Sequence, residues 1–277
     1  MLEERCLFED VDLRDYKIRA ENAALIINSH GDNIFGRLLM PAVKNKDERT
    51  PVAIFLHGYP GNEQNLDITQ ALRRAGIAVF HFSYRGVWGS HGDYCFSHLI
   101  EDTNTVLNYL TEKADEWRLD MTRVYLIGHS MGGFTTLNAL ADGIAVKGAV
   151  AIAPCDIGDI FLNDQNKFDQ LMLTKKKGYF TLSDENSIED DLKPNAQRWR
   201  FINLAERFDE NIPIHFVGGT RDAVTPPEKH IKPLYKKLLE LGRKTSYTEF
   251  DDGHAFPNHR IALTKLVFQK ISEMENK

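Results

Sequence analysis

Over most of its length, the chain alternates short apolar runs with stretches in which apolar residues recur every three or four positions. Short unbroken apolar runs are typical of buried strands, and the wider spacing is typical of helices. The runs predict strands over residues 52–56, 77–82, 124–127, 148–153, 214–217 and 247–250. The helical spacing is found over residues 71–75, 99–110, 134–140, 233–241 and 261–271. Strands that alternate with helices in this way predict right-handed crossovers and a mainly parallel sheet covered on both faces.

The first fifty residues predict two further strands. Residues 16–27 and 34–39 are rich in apolar side chains and are joined by the turn-like sequence His30-Gly31-Asp32-Asn33. Two such strands joined by a short polar turn form a hairpin. We therefore expect an antiparallel edge beside the parallel strands, and an α/β fold built on a mostly parallel eight-stranded sheet with helices on both faces.

The segment between Pro154 and Pro213 has no strand signal, although it is nearly sixty residues long. Two helical patterns lie in it, one through Ile160, Phe161, Phe168, Leu171 and Met172 and one through Trp199, Ile202, Leu204 and Phe208. A connection of this length inside a compact domain is uncommon unless it covers an active site. We predict a helical cap inserted at about residues 155–211 into a single domain spanning residues 1–277. The alternative is a packed decoration that does not contact substrate.

With 42% hydrophobic and 27% charged residues, the composition is typical of a soluble globular protein. The net charge of −6, without a compensating basic stripe, argues against a nucleic-acid partner. No apolar stretch approaches the roughly 20 residues of a membrane span, and the acidic start of the chain does not resemble a secretory signal. The widely separated Cys6, Cys95 and Cys155 favour reduced thiols over disulfides. We expect a cytoplasmic protein.

The sequence Gly128-His129-Ser130-Met131-Gly132 lies between a predicted strand and a predicted helix. A G-x-S-x-G motif in that place is a nucleophile elbow, a sharp turn that exposes a serine hydroxyl at the edge of a sheet. The turn leaves no room for side chains nearby, so glycines stand two residues before and two residues after the serine. The motif alone is weak, because chance produces it in roughly one chain in ten or twenty of this length. Its strand–turn–helix setting makes Ser130 the candidate nucleophile.

A serine hydroxyl needs a base to remove its proton, and a histidine held in one tautomer by a carboxylate serves as that base. In a sheet of this kind, the acid and the histidine follow the serine along the chain, each after a later strand. Asp222 follows the strand at 214–217, and His254 follows the strand at 247–250 on a glycine-containing loop. We predict a catalytic triad of Ser130, Asp222 and His254. The competing candidates for the acid are Asp156, Asp159, Asp251 and Asp252.

The negative charge that develops on a substrate carbonyl oxygen needs preorganised donors, the oxyanion hole. The first expected donor is the backbone N–H of Met131, directly after the nucleophile. The second should come from the turn after the strand at 52–56, His57-Gly58-Tyr59-Pro60-Gly61. Pro60 has no N–H, so we predict the backbone N–H of Tyr59. His57 is expected to brace this loop rather than to act as a base.

Another glycine-rich loop runs from Tyr84 to Asp93 at the same edge of the sheet. Arg85 and Trp88 are candidates for substrate contact, but an ion pair or a packing role that stabilises the fold is favoured for both. His91 and Asp93 lack an evident third ligand for a metal ion. The sequence therefore predicts neither a metal site nor a cofactor.

From about residue 30 to the C-terminus, the sequence resembles the serine hydrolases of the α/β-hydrolase fold. The resemblance is carried by HGYPG at His57, GHSMGG at Gly128, GTRDAVTPP at Gly218 and DGHAF at Asp252. The stretch YRGVWGSHGD, at residues 84–93, is similar to the prolyl-oligopeptidase-like branch and to related bacterial esterases. The chain is too short for the propeller of true oligopeptidases, and GHSMGG is more like esterases. The prolyl-oligopeptidase-like branch also tends to have tyrosine directly after the nucleophilic serine, where this chain has Met131.

The resemblance and the predicted triad together imply a carboxylic-ester hydrolase that acts on a small-molecule ester through an acyl-enzyme. One alternative is a peptidase that cleaves short peptides with the same residues. Another, from a different class, is a non-catalytic member of the fold that uses the pocket to bind a ligand.

Overall fold

The computed structural model describes residues 2–61 and 65–276. The strands within these residues are β1 (Glu21–Ser29), β2 (Asp32–Met40), β3 (Thr50–Leu56), β4 (Ala78–Phe82), β5 (Leu119–His129), β6 (Gly148–Ile152), β7 (Ile214–Gly219) and β8 (Thr245–Phe250). They form one eight-stranded sheet in the order β1-β2-β4-β3-β5-β6-β7-β8. Every pairing from β4 to β8 is parallel. The predicted mostly parallel sheet is confirmed.

The strands at the centre of the sheet are the ones that the sequence indicates most clearly. β3, β4, β6 and β7 are buried along their whole length. Parallel strands that are covered on both faces are apolar at nearly every position, which explains their uninterrupted hydrophobic runs. Because these strands are parallel, the loops after β3, β5, β6, β7 and β8 all leave the sheet at the same edge.

The hairpin at the start of the sheet begins later than the apolar pattern predicts. β1 starts at Glu21 rather than at Tyr16, because Ile18 forms an isolated antiparallel bridge with Val43 instead of pairing with β2. A short 3₁₀ turn over Leu13–Asp15 precedes this segment. Asp12 caps this turn by accepting a hydrogen bond from the backbone N–H of Arg14. β1 pairs antiparallel with β2, which pairs antiparallel with β4. The expected antiparallel edge is therefore confirmed.

Helices cover both faces of the sheet. They are α1 (Leu66–Arg74), α2 (Phe96–Glu112), α3 (Met131–Ala141), α4 (Ile157–Asn163), α5 (Gln165–Met172), α6 (Ser187–Trp199), α7 (Phe201–Leu204), α8 (Pro227–His230), α9 (Lys232–Glu240) and α10 (Arg260–Glu275). One hydrophobic core joins α2, α3 and α9 to the first face. A second core joins α1 and α10 to the opposite face. No helix among the described residues has the length and apolar character that crossing a bilayer requires.

The long connection between β6 and β7 folds as four α-helices, α4 to α7, which we call the helical insertion. The first predicted helical pattern is divided in two at Asp164, whose side chain accepts the backbone N–H of Lys167 and so caps α5. The second pattern is divided at Arg200, between α6 and α7. A backbone bridge between Val87 and Phe180 joins the insertion to the glycine-rich loop after β4.

Candidate functional site

Ser130 occupies a sharp turn between β5 and α3. Its backbone has φ 59° and ψ −115°, in a region that side chains rarely adopt. The turn brings Gly128 and Gly132 so close together that a Cβ on Gly128 would collide with the carbonyl oxygen of Gly132. A Cβ on Gly132 would collide with the carbonyl oxygen of Leu56 at the end of β3. The two glycines of the motif are therefore required by close backbone contacts, as the sequence predicts.

The structure brings Ser130, Asp222 and His254 together at the carboxyl edge of the sheet, after β5, β7 and β8. Nε2 of His254 lies 2.9 Å from Oγ of Ser130. Nδ1 of His254 lies 2.8 Å from Oδ2 of Asp222. The carboxylate only accepts hydrogen bonds, so Nδ1 carries a hydrogen and Nε2 of the neutral ring accepts the hydroxyl hydrogen of Ser130. Three side chains that are far apart in sequence thus form one hydrogen-bonded chain.

Asp222 is fixed by more than His254. Its Oδ1 accepts the backbone N–H groups of Val224 and Thr225, each at 2.8 Å. Its Oδ2 also accepts the hydroxyl of Thr225 at 2.8 Å. Burial alone would raise the pKa of Asp222, but the hydrogen bonds from His254 and Thr225 outweigh it and lower the pKa to about 2. The carboxyl group is therefore ionised at neutral pH.

The competing carboxylates have other partners. Asp156 accepts the backbone N–H groups of Asp159 and Phe201, and burial raises its pKa to about 7. Asp251 pairs with Arg221 on the surface. Oδ1 and Oδ2 of Asp252 receive hydrogen bonds from its own loop, namely from Gly253, Asn258 and His259. Of the candidate acids, Asp222 alone is hydrogen-bonded to His254 among the described residues.

His129 is a part of the site that the sequence reasoning missed. Its Nε2 lies 2.9 Å from the backbone carbonyl oxygen of His254, so Nε2 carries the hydrogen that this oxygen accepts. The two rings pack with their centroids 5.0 Å apart. Burial and the nearby His254 lower the pKa of His129 to about 3, which keeps its ring neutral. His129 directly precedes the nucleophile, but no pattern in the sequence links it to the loop after β8.

Tyr59 and Met131 line the same cavity as Ser130 and His254. The Tyr59 hydroxyl donates to the carbonyl oxygen of Leu171 at 3.3 Å, and its ring stacks on Phe180 with centroids 4.8 Å apart. Met131 begins α3, and its sulfur accepts the hydroxyl of Tyr94. The roles of the Tyr59 and Met131 backbone N–H groups in an oxyanion hole stay predictions.

His57 is buried and is bound within its own turn. Its Nδ1 lies 2.8 Å from the carbonyl oxygen of Gly58, and its ring packs against Tyr84. Burial lowers the pKa of His57 to about 4. These contacts agree with the expectation that His57 braces the loop after β3.

The cavity at Ser130 has a volume of about 190 Å³. Its walls are mainly apolar and include Phe96, Met131, Phe134, Ile157, Leu171 and Met172. The helical insertion contributes Ile157, Leu171 and Met172. The large aromatic residues of the insertion are not among its lining residues, namely Phe161, Tyr179, Phe180, Trp199 and Phe201.

The glycine-rich loop after β4 is held by a buried ion pair. Nε of Arg85 lies 2.7 Å from Asp102, and the backbone N–H of Arg85 donates to the same carboxylate at 2.8 Å. Trp88 donates its indole N–H to the carbonyl oxygen of Pro60 at 2.8 Å. Arg85 and Trp88 therefore make contacts that stabilise the loops. The described residues contain no cluster of three or more histidine, cysteine or acidic side chains placed to bind a metal ion.

Comparisons with known proteins place this chain in a family. "Uncharacterized protein YfhR" from Salmonella typhi is 27% identical over 235 residues, covering 82% of this chain and 72% of that protein. Est1E from Butyrivibrio proteoclasticus superimposes with a TM-score of 0.70 at 20% identity, covering 92% of this chain and 99% of that one. The acylaminoacyl peptidase of Pyrococcus horikoshii gives 0.69 at 19% identity, covering 92% and 42% respectively. The sequence profile of the alpha/beta hydrolase family matches residues 53–260, well over half of the chain, and the protein therefore belongs to that family.

Proposed function

We propose that this protein hydrolyses carboxylic esters of small molecules through an acyl-enzyme formed on Ser130. The observation that carries the proposal is the hydrogen-bonded chain from Ser130 through His254 to Asp222, with distances of 2.9 Å and 2.8 Å. This chain lies at the wall of an apolar cavity of about 190 Å³. Such an arrangement activates a serine hydroxyl for attack on a carbonyl carbon.

In the first half of the proposed reaction, Oγ of Ser130 attacks the ester carbonyl carbon while Nε2 of His254 takes the hydroxyl proton. Asp222 keeps the imidazole in the required tautomer and stabilises its charged form. The backbone N–H groups of Met131 and Tyr59 donate to the carbonyl oxygen as it becomes negative. The C–O bond to the alcohol then breaks, and His254 returns its proton to the leaving oxygen.

In the second half, water attacks the acyl group on Ser130, and His254 again takes the proton. The carboxylic acid leaves, and the proton returns to Oγ of Ser130. Every step uses side-chain and backbone groups of this chain. The helical insertion acts as a cap in this proposal, because Ile157, Leu171 and Met172 form part of the cavity wall.

The test is the turnover of a p-nitrophenyl ester by the wild type and by Ser130→Ala. We expect kcat to fall by a factor of about 10⁴ or more, because the nucleophile is lost. Ser272→Ala in α10 is the matched control and should retain wild-type turnover. Unchanged hydrolysis by Ser130→Ala, with circular dichroism showing both variants folded, would remove the basis of the proposal.

Two further measurements separate the alternatives. A fluorophosphonate should label the wild type but not Ser130→Ala, whereas a non-catalytic ligand-binding protein would not react. Comparing an ester with an aminoacyl anilide of the same acyl part distinguishes an esterase from a peptidase. We expect the ester to be cleaved with the higher kcat/KM. A preference for the anilide would favour the peptidase.

A further inference from the structure

A second, larger cavity of about 590 Å³ lies beside the cavity at Ser130. Val224 lines both cavities, so the two spaces adjoin at this residue. The walls of the second cavity come from the helical insertion and from the segment after Asp222. Unlike the first cavity, it has aspartate, lysine and arginine side chains among its lining residues.

His230 presents a hydrogen-bond donor to this second cavity. The residue is only 5% exposed, and its Nδ1 accepts the backbone N–H of Asp156 at 3.1 Å. Burial lowers the pKa of His230 to about 4, so the ring is neutral at pH 7 and its hydrogen is on Nε2. His230 lines the cavity. Its Nε2 is not enclosed by protein, and no described residue accepts the hydrogen that Nε2 carries.

The charged groups around the cavity leave one cation without a carboxylate. Arg200 lies 2.7 Å from Asp159, and Lys229 lies 3.8 Å from Asp164. The ammonium of Lys167 donates to the backbone carbonyl oxygen of Ala223 at 3.2 Å, and no described carboxylate lies within ion-pair distance of it.

The remaining acid of the wall, Asp156, has both carboxyl oxygens occupied by backbone N–H groups. Among the described residues, the wall therefore holds two donors without a carboxylate partner, Nε2–H of His230 and the ammonium of Lys167, beside Asp159 and Asp164, which are ion-paired with Arg200 and Lys229. Donors of this kind fit an anionic acceptor such as a carboxylate.

The position of this cavity indicates which part of a substrate enters it. In the proposed reaction, the acyl group occupies the apolar cavity beside Met131, and the leaving alcohol lies next to His254, which protonates it. The second cavity is lined by Ala223 and Val224, directly after the Asp222 that binds His254. A volume of about 190 Å³ is below the roughly 300 Å³ at which pockets for drug-sized ligands begin. The first cavity therefore suits a short acyl group.

We propose that the second cavity binds a carboxylate on the alcohol half of the ester, through Nε2–H of His230 and the ammonium of Lys167. This inference rests on the proposed ester hydrolysis at Ser130. It specifies the substrate class as short-chain acyl esters of alcohols or phenols that carry a carboxylic acid. Ile160, Phe201 and Leu234 supply apolar wall for the carbon frame of the alcohol.

The test compares two esters that differ only in charge at the distal end: the butanoate of para-hydroxybenzoate and the butanoate of para-hydroxybenzamide. Each kcat/KM is divided by the rate of alkaline hydrolysis of the same ester, which removes differences in intrinsic reactivity. We expect the wild type to prefer the carboxylate by about tenfold or more, the effect of a charge-assisted hydrogen bond. A corrected ratio near one would overturn the inference and leave the proposed ester hydrolysis standing.

The variant Lys167→Met should reduce this preference by about fivefold or more, because it removes the ammonium that binds the carboxylate. Lys229→Met is the matched control, because it removes the same charge from the same wall but from a lysine already near Asp164. It should retain most of the preference. Equal losses in both variants would indicate a long-range charge effect and contradict a specific site.

His230 is tested by His230→Phe, which removes the donor, and by His230→Gln, which restores one. We expect the preference to be lost in the first variant and largely retained in the second. If His230→Phe does not fold, Lys167→Met decides the question alone.

If neither these esters nor the p-nitrophenyl ester is hydrolysed, the proposed function fails, and binding of para-hydroxybenzoate by calorimetry still tests this cavity. Binding that is weaker in Lys167→Met than in Lys229→Met supports the site. Absence of binding to the wild type overturns it.

Discussion

The two ring nitrogens of His254 contact different partners, and Asp222 decides which of them carries the hydrogen. Oδ2 of Asp222 faces Nδ1 of His254, whereas Oδ1 faces the backbone N–H groups of Val224 and Thr225. An amide in place of the carboxylate would keep its oxygen on those N–H groups and turn its NH₂ toward His254. The ring would then be held in the tautomer that cannot take a proton from Ser130.

Asp222→Asn is therefore expected to lower kcat by a factor of about 10⁴ with little change in the fold, as an amide does in other serine hydrolases. The measurement is ester turnover together with thermal unfolding. Thr225→Val is a milder companion variant, because it removes the hydroxyl that donates to Oδ2 of Asp222 and leaves the carboxylate. A fully active Asp222→Asn would mean that another group orients His254.

His129 is expected to act as a positioning residue for His254. His129→Phe keeps a ring of similar size but removes the N–H that donates to the His254 carbonyl oxygen. Leaving that oxygen without a partner costs about 1–3 kcal/mol, so the loop after β8 should adopt other positions. We expect kcat to fall roughly tenfold while KM is nearly unchanged. His129→Gln, which offers an N–H again, should recover part of the loss, and a change in KM alone would contradict a positioning role.

At the scale of single residues, sequence reasoning selected Ser130, Asp222 and His254 because each follows a recognisable strand in the order that the fold requires. The structure brings them together, and their catalytic roles stay predictions until the variants are measured. His129 and Thr225 were not selected. His129 acts through a contact to His254, which is far away in sequence, and Thr225 acts through its hydroxyl in the loop after β7. Such contacts depend on how loops converge, which spacing along the chain does not encode.

At the scale of elements, the turn between β5 and α3 depends on how closely α3 approaches β3. A Cβ on Gly132 would meet the carbonyl oxygens of Leu56 and His57, which are backbone atoms that cannot rotate away. Gly132→Ala should therefore destabilise the protein by about 3 kcal/mol or more, above the usual 1–3 kcal/mol for overpacking. The measurement is urea unfolding followed by circular dichroism.

Gly253→Ala is the matched control for that variant, because nothing lies within 4 Å of the Cβ position of Gly253. It should leave the free energy of unfolding nearly unchanged. If both variants were equally stable, the close contact between α3 and β3 would not be the reason for the glycine.

The helical insertion shows where pattern reading loses accuracy. A single helical pattern through residues 160–172 became α4 and α5, because Asp164 ends the first helix and caps the second. α6 begins at Ser187, well before the pattern around Trp199 that the sequence analysis recognised. The strands β3, β4, β6 and β7 were predicted within one or two residues, since burial on both faces makes them apolar throughout. β1 and β5, which are only partly buried, begin five residues away from the predicted start. Short amphipathic helices on the surface of a domain have a weaker pattern, and their ends are set by caps.

At the scale of the whole molecule, buried histidines couple stability to pH. Burial lowers the pKa values of His57, His81 and His230 to about 4 and those of His129 and His215 to about 3. Below the unfolded pKa of about 6.5, the unfolded chain binds protons at these positions that the folded chain does not. The free energy of unfolding therefore has its full histidine contribution above about pH 6.5 and loses it as the pH falls toward 4. Asp156 acts in the opposite direction, because its raised pKa of about 7 makes the folded chain bind more protons in this range.

His215 isolates one histidine of this set, because it lies in β7 away from Ser130 and its Nδ1 contacts only the hydroxyl of Ser246 among the described residues. In His215→Leu, the free energy of unfolding should fall between pH 7.5 and pH 5 by about 2 kcal/mol less than in the wild type, the linkage expected from one proton that only the unfolded chain binds. Urea unfolding of both proteins at the two pH values measures this difference. The cost of the lost hydrogen bond cancels because each protein is compared with itself at the two pH values. The opposing contribution of Asp156 cancels because it is the same in both proteins. An equal fall in both proteins would show that His215 takes up its proton in the folded state, and that burial in β7 does not keep its ring neutral.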